Sequence, residues 1–198
     1  MSQKIEHMRW GVVLWVAGFA LLTACGTPSA NEAKANPSIQ SILAGVGADG
    51  LDGRETVDAL DRLPVDKRPD GLMASVRATS LVLTDENKNE KKLDLPSDAF
   101  YVSFAPYLTK THPCTFHSLT TCLGELRNTP MHVTVTDQES GEQFVSETTK
   151  TFDNGFYGMW LPRDRDFTLQ VESEGKSATV SISTRGDSPT CVTDVKLS

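Results

Sequence analysis

Eleven residues, His112-Pro113-Cys114-Thr115-Phe116-His117-Ser118-Leu119-Thr120-Thr121-Cys122, hold two of the four cysteines and two of the four histidines of the 198-residue chain. Cys114, His117 and Cys122 form a C-x2-H-x4-C pattern. One distant cysteine, Cys191, can join them. Thiolates are soft ligands that favour Cu(I) and also suit zinc, and imidazole suits both metals. Three thiolates in an apolar pocket satisfy trigonal Cu(I), whereas zinc wants a fourth ligand, which His117 can supply. A structural disulfide with one spare thiol explains the same residues, and so does thiol redox exchange. No C-x-x-C pattern supports a thioredoxin-type site. The chemistry of the residues leaves these alternatives open.

The redox compartment bears on the choice, and the N-terminus speaks to it. Lys4 and Arg9 precede an uncharged run from Trp10 to Leu22. A basic start and a short apolar run make a secretory signal, too short to span a bilayer comfortably, which takes roughly 20 residues. It ends in Leu21-Leu22-Thr23-Ala24-Cys25-Gly26, which resembles the bacterial lipobox. That resemblance implies diacylglycerol on Cys25, cleavage after residue 24 and a lipid anchor. Three thiols then remain, an odd number that cannot all pair within one chain.

The elements that must position these residues follow from periodicity. Gly26–Pro37 is small and polar and reads as a tether. Ile39, Ile42 and Leu43 mark a short helix, and Val57, Leu60 and Leu63 mark a second one over 52–64, stopped by Pro64. From Gly71 the period changes to two. Val76, Ala78, Ser80 and Val82 are expected on one face of a β segment and Leu81 and Leu83 on the other. Lys92–Leu95 is a return strand, Ala99–Leu108 a strong aromatic strand, and the cysteine segment a loop or short helix. Strand-like runs follow at Met131–Thr136, Gln143–Thr151, Gly155–Leu161, Phe167–Glu172, Ala178–Thr184 and Cys191–Leu197. Short strands at regular spacing with polar turns predict a β-sandwich. The expected fold is mainly β: residues 1–24 a lipoprotein signal peptide, 25–37 a linker, 38–95 a small α+β domain and 99–198 a β-sandwich. Cys191 at the head of the last strand can then reach the cysteine loop.

Composition narrows the function classes. The formal net charge is −7, and removing the signal, with Lys4 and Arg9 against Glu6, makes it −8. An acidic chain without a basic run is a poor partner for nucleic acid. No Ser–His–Asp order, phosphate loop or paired-carboxylate pattern has specific support. Outside the constellation, His112 is expected at the exposed entrance of the loop and His132 as a surface or capping residue. Met159 and Trp160 are expected as packing, and Asp153-Asn154-Gly155 as a turn. Glu125 either orients the loop through backbone N–H groups or stands as a solvated charge.

Several motifs taken together resemble one family. Tyr101-Val102-Ser103-Phe104-Ala105-Pro106-Tyr107, then Thr111-His112-Pro113-Cys114 through Gly124-Glu125-Leu126, resemble the signature of CueP, an envelope copper-binding family. Thr151–Arg163 and Thr190-Cys191-Val192-Thr193 resemble it too. The similarity covers 38–198 and is best from 99 onward. It implies a protein that buffers Cu(I), with Cys114, Cys122 and Cys191 carrying the metal and His117 nearby. It further implies supply from a copper-exporting ATPase, delivery to an envelope copper-zinc superoxide dismutase and a homodimer formed through the N-terminal region. The lipobox departs from soluble family members and implies anchoring on the periplasmic or extracellular side of a membrane. Exported thiols need a reducing partner, so an envelope disulfide reductase is expected as well. Two other functions compete with this non-enzymatic one: a thiol-dependent cupric or ferric reductase, and a structural lipoprotein with a stabilising disulfide.

Overall fold

The computed structural model describes residues 36–198. Cys25 and the signal segment lie outside the described residues. Two short helices open the described chain: α1 (Ile39–Gly45) and α2 (Gly53–Asp61). Ser38 caps α1 and Asp52 caps α2, the latter in a reciprocal capping box with Glu55, which satisfies backbone donors the helix itself leaves free. A three-residue 3-10 turn, Val65–Lys67, leads to β1 (Leu72–Val76), β2 (Ser80–Asp85) and β3 (Glu90–Asp94). The remaining strands are β4 (Ala99–Tyr107), β5 (Pro130–Asp137), β6 (Gln143–Lys150), β7 (Tyr157–Pro162), β8 (Asp166–Ser173), β9 (Lys176–Ser183) and β10 (Cys191–Lys196). The protein is mainly β, as its periodicity predicts.

The strands form three sheets, ordered β1-β2-β3, β10-β4-β7 and β6-β5-β8-β9. The latter two make the sandwich. Phe100, Val102 and Phe104 of β4, Met159 and Leu161 of β7 and Val195 of β10 share one core with Val133, Leu169 and Ile182 of the facing sheet. Successive residues of a strand point to opposite faces, so β4 presents Tyr101, Ser103 and Ala105 the other way. Tyr101 and its cross-strand neighbour Trp160 join a second core with Val57 and Leu60 of α2 and with β1 and β2. The sheet containing β4 is therefore covered on both faces, and seven consecutive residues of that strand, Phe100–Pro106, are buried.

One pairing decides where Cys191 lies. β10 runs parallel to β4, with Cys191 opposite Ser103. That places Cys191 beside the residues that lead into the cysteine loop. The segment Gly71–Thr84 is two strands rather than one: β1 and β2 fold back antiparallel around Arg77-Ala78-Thr79. The turn reverses the expected faces. Leu81 and Leu83 are fully buried, as is Val76, whereas Val82 is only half-buried. The loop after β4 contains no helix, so helical spacing does not bring Cys114 and His117 together.

Candidate metal centre

Residues 108–129 form an irregular loop whose backbone is tied at several points. The Glu125 carboxylate accepts the N–H groups of Leu108, Thr109 and Lys110 at 2.7, 2.9 and 3.0 Å and also takes the Thr109 hydroxyl. Of the two expectations for Glu125, orientation of the loop is the one observed, and these bonds push its pKa down to about 2. The stretch around Ser118 lies along β1: Val76 N–H donates to the His117 carbonyl at 2.8 Å and Leu119 N–H to the Ala74 carbonyl at 2.9 Å. Thr190, buried next to Cys191, accepts the His117 N–H at 3.0 Å and donates its hydroxyl to the Val76 carbonyl at 2.7 Å. The loop is thus fixed between β1 and the start of β10. Gly124 and Gly155 pass so closely that a Cβ on either would overlap the other's backbone.

This packing gathers the predicted residues. Cys114 and Cys191 form a disulfide with their Cα atoms 5.7 Å apart. Cys122 is the free thiol among the described residues and is buried. Its Sγ lies 3.7 Å from Cys114 Sγ and accepts the Ser118 N–H at 3.3 Å. His117 is fully buried and presents Nδ1 to Cys191 Sγ at 3.8 Å. The donor atoms of His117, Cys122 and Cys191 all lie within 4.8 Å of one another. Ala105 and Phe156 complete an apolar wall, and Phe156 packs on the His117 ring with centroids 4.6 Å apart.

His112 departs from expectation. It is half-buried rather than exposed, and its donor atom falls within 4.8 Å of those of Cys114 and Cys122. His132 is elsewhere, on β5, hydrogen-bonded to Thr148 at 3.3 Å. Met159 packs in the sandwich core.

Three residues behind the site were not picked out from the sequence. The Asp61 carboxylate, at the end of α2 and buried, accepts from His117 Nε2 at 2.9 Å, from Asn154 Nδ2 at 3.0 Å and from the Tyr101 hydroxyl. A signal for Asp61 existed: it follows Val57 by four residues and so lies on the apolar stripe of the helix, where a charge needs partners. Asn154 is more than a turn residue, since its side-chain oxygen also accepts the Phe156 N–H at 2.8 Å.

Electrostatics follow from this arrangement. Burial pulls the His117 imidazole down, but the Asp61 carboxylate, its hydrogen bond and the neighbouring Cys122 outweigh it and raise the pKa to about 9. Burial pushes the Cys122 thiol up, yet His117, the Ser118 N–H and the Arg68 guanidinium overcome it and leave the thiol below its ordinary value. Thiol and imidazole must both give up protons to ligate a soft cation, so binding there is coupled to proton release.

Soft sulfur donors and imidazole in a buried pocket suit copper. The family model described as periplasmic copper-binding protein CueP matches residues 55–196. The chain belongs to the CueP family. CueP proteins are periplasmic and bind copper. A solved structure described as "Crystal Structure of S.CueP" is 40% identical, with a TM-score of 0.74, over 83% of this chain and 100% of that one. No curated protein matches the chain.

Proposed function

We propose that this periplasmic copper-binding protein sequesters Cu(I) in its thiol-reduced state through Cys114, Cys122 and Cys191 with His117, and so contributes to copper resistance. The observation that carries the proposal is the buried cluster of His117 Nδ1, Cys122 Sγ and Cys191 Sγ, with Cys114 Sγ against Cys122. Buried thiolates favour the monovalent soft ion and exclude water that would compete for it. With the disulfide closed, two of the three thiolates are lost. Opening it consumes two electrons and two protons from a dithiol reductant, which is oxidised to its own disulfide. An envelope disulfide reductase fits that role. A copper-exporting ATPase as donor, a copper-zinc superoxide dismutase as acceptor, lipid on Cys25 as tether and a homodimer through residues 38–95 complete the proposed setting.

A reductase reading draws support from the disulfide itself. Two thiolates can pass two electrons to two Cu(II) ions and close as Cys114–Cys191. Without a supply of reductant that reaction is one stoichiometric burst, which places it alongside storage rather than in place of it. A purely structural disulfide would leave the burial of Cys122 and His117 against it without a role.

The test is Cu(I) competition against a chromogenic chelator under anaerobic conditions. The reduced protein is expected to take one Cu(I) tightly and the oxidised protein to lose that affinity. Tight, stoichiometric binding by the fully oxidised protein sinks the proposal. Catalytic turnover of Cu(II) with excess thiol would favour the reductase instead.

A further inference from the structure

Two sets of ligands share a single sulfur. His112, Cys114 and Cys122 bring their donor atoms within 4.8 Å of one another, and His117, Cys122 and Cys191 do the same. Cys122 alone belongs to both. The sets differ in access. His112 and Cys114 are half-buried, and both halves of the disulfide, Cys114 and Cys191, line a groove of about 480 Å³ between β9 and β10. His117 is completely buried, with Cys191 3% and Cys122 8% exposed.

The sets also differ in how firmly they are held. His117 is clamped by Asp61 on one nitrogen and by Phe156 on its face, and Cys191 sits in a strand paired to the middle of β4. His112, Cys114, His117 and Cys122 all belong to the irregular loop, but the His112 ring lies 6.1 Å from that of Phe156, against 4.6 Å for the His117 ring. A soft, solvent-accessible set beside a buried, preorganised one is the arrangement expected of capture followed by retention.

We propose that copper enters at an outer station, His112, Cys114 and Cys122, and passes to an inner station, His117, Cys122 and Cys191, without leaving Cys122. The inference rests on the Cu(I)-binding reading above and requires the dithiol form. The Cu–S bond to Cys122 persists throughout. The bonds to Cys114 Sγ and the His112 nitrogen break while those to Cys191 Sγ and His117 Nδ1 form. Copper remains Cu(I). The proton that leaves the Cys191 thiol is taken up by the released Cys114 thiolate, and a proton that leaves His117 Nδ1 is taken up by the released His112 nitrogen. The two exchanging sulfurs are close enough to join as a disulfide, so the ion moves only within the cluster. Each station owns one half of that disulfide, and oxidation therefore closes both together.

The experiment uses the reduced full chain and its variants, with a Cu(I)–bicinchoninate complex as donor. Affinity is read at equilibrium and capture by stopped flow. Cys122→Ser should bind no Cu(I) tightly. Cys114→Ser and Cys191→Ser should each keep one Cu(I), weaker by about tenfold or more. His112→Gln should capture copper about tenfold more slowly than the unmodified chain. X-ray absorption of Cys191→Ser should show a nitrogen ligand that vanishes in the double variant with His112→Gln. Equal loss in all three cysteine variants means one three-sulfur centre and overturns the two stations. Capture by His112→Gln at the unmodified rate overturns the entry role of His112. Failure of the reduced, unmodified chain to take up Cu(I) overturns the functional reading itself, and the two stations with it.

Discussion

Asp61 Oδ1 lies 2.9 Å from His117 Nε2, with both side chains withdrawn from solvent. The carboxylate accepts the Nε2 proton and so turns Nδ1 toward the sulfurs. A ligating histidine whose other nitrogen is held by a carboxylate is fixed in tautomer and made more basic. Tyr101 and Asn154 each donate a further hydrogen bond to the carboxylate, which offsets the cost of burying its charge.

Asp61→Asn tests that relationship with little change in shape. The expected result is a folded protein whose Cu(I) affinity falls by about 10- to 100-fold. Equilibrium competition measures it, and near-ultraviolet circular dichroism checks the fold. Unchanged affinity in a folded variant would show that Asp61 serves packing alone.

Gly158 of β7 faces Tyr101 and Asp61. A Cβ there would overlap the Tyr101 hydroxyl and crowd the Asp61 carboxylate. Gly158→Ala should destabilise the protein by about 1–3 kcal/mol through overpacking, read by denaturant titration. It should also weaken copper binding, because Asp61 must shift.

The Glu125 carboxylate supplies a pH signature. Its folded pKa, about 2, lies below its ordinary 4.5 because the Thr109 hydroxyl and the N–H groups of Thr109, Lys110 and Leu108 favour the anion. A depressed carboxylate contributes stability that is present above pH about 4.5 and is lost as pH falls towards 2. Glu125→Gln should therefore be less stable than the unmodified protein at pH 6, and the gap should narrow between pH 5 and pH 2. A gap that stays constant across that range would remove Glu125 from the account.

The Cys114–Cys191 disulfide closes a sequence separation of 77 residues. Constraining so long a segment in the unfolded chain stabilises the fold by about 2–4 kcal/mol. Reduction should lower the unfolding free energy by that amount, and Cu(I) should restore part of it by binding the native dithiol form. Matching denaturation curves for the oxidised and the copper-free reduced protein would count against the first statement, and no recovery with Cu(I) against the second.

The sequence alone determined a good deal. Period-two alternation with turn residues between strands gave a mainly β chain, because a half-buried strand must alternate its faces. The soft donors of Cys114, His117 and Cys122 stood in one short segment, so their chemistry could be read without coordinates. Tertiary structure decided the rest. The parallel pairing of β10 with β4 brings Cys191 to the loop, and a local pattern carries no record of which distant strand a segment will join. The fold also chose which thiols pair and left Cys122 free, since disulfide connectivity depends on three-dimensional approach. It drew His112 inward and set Asp61, Tyr101 and Asn154 behind His117, across 56 residues in one case and 37 in another. Such contacts join segments remote in the chain, and only the packing of α2 against the middle sheet makes them neighbours.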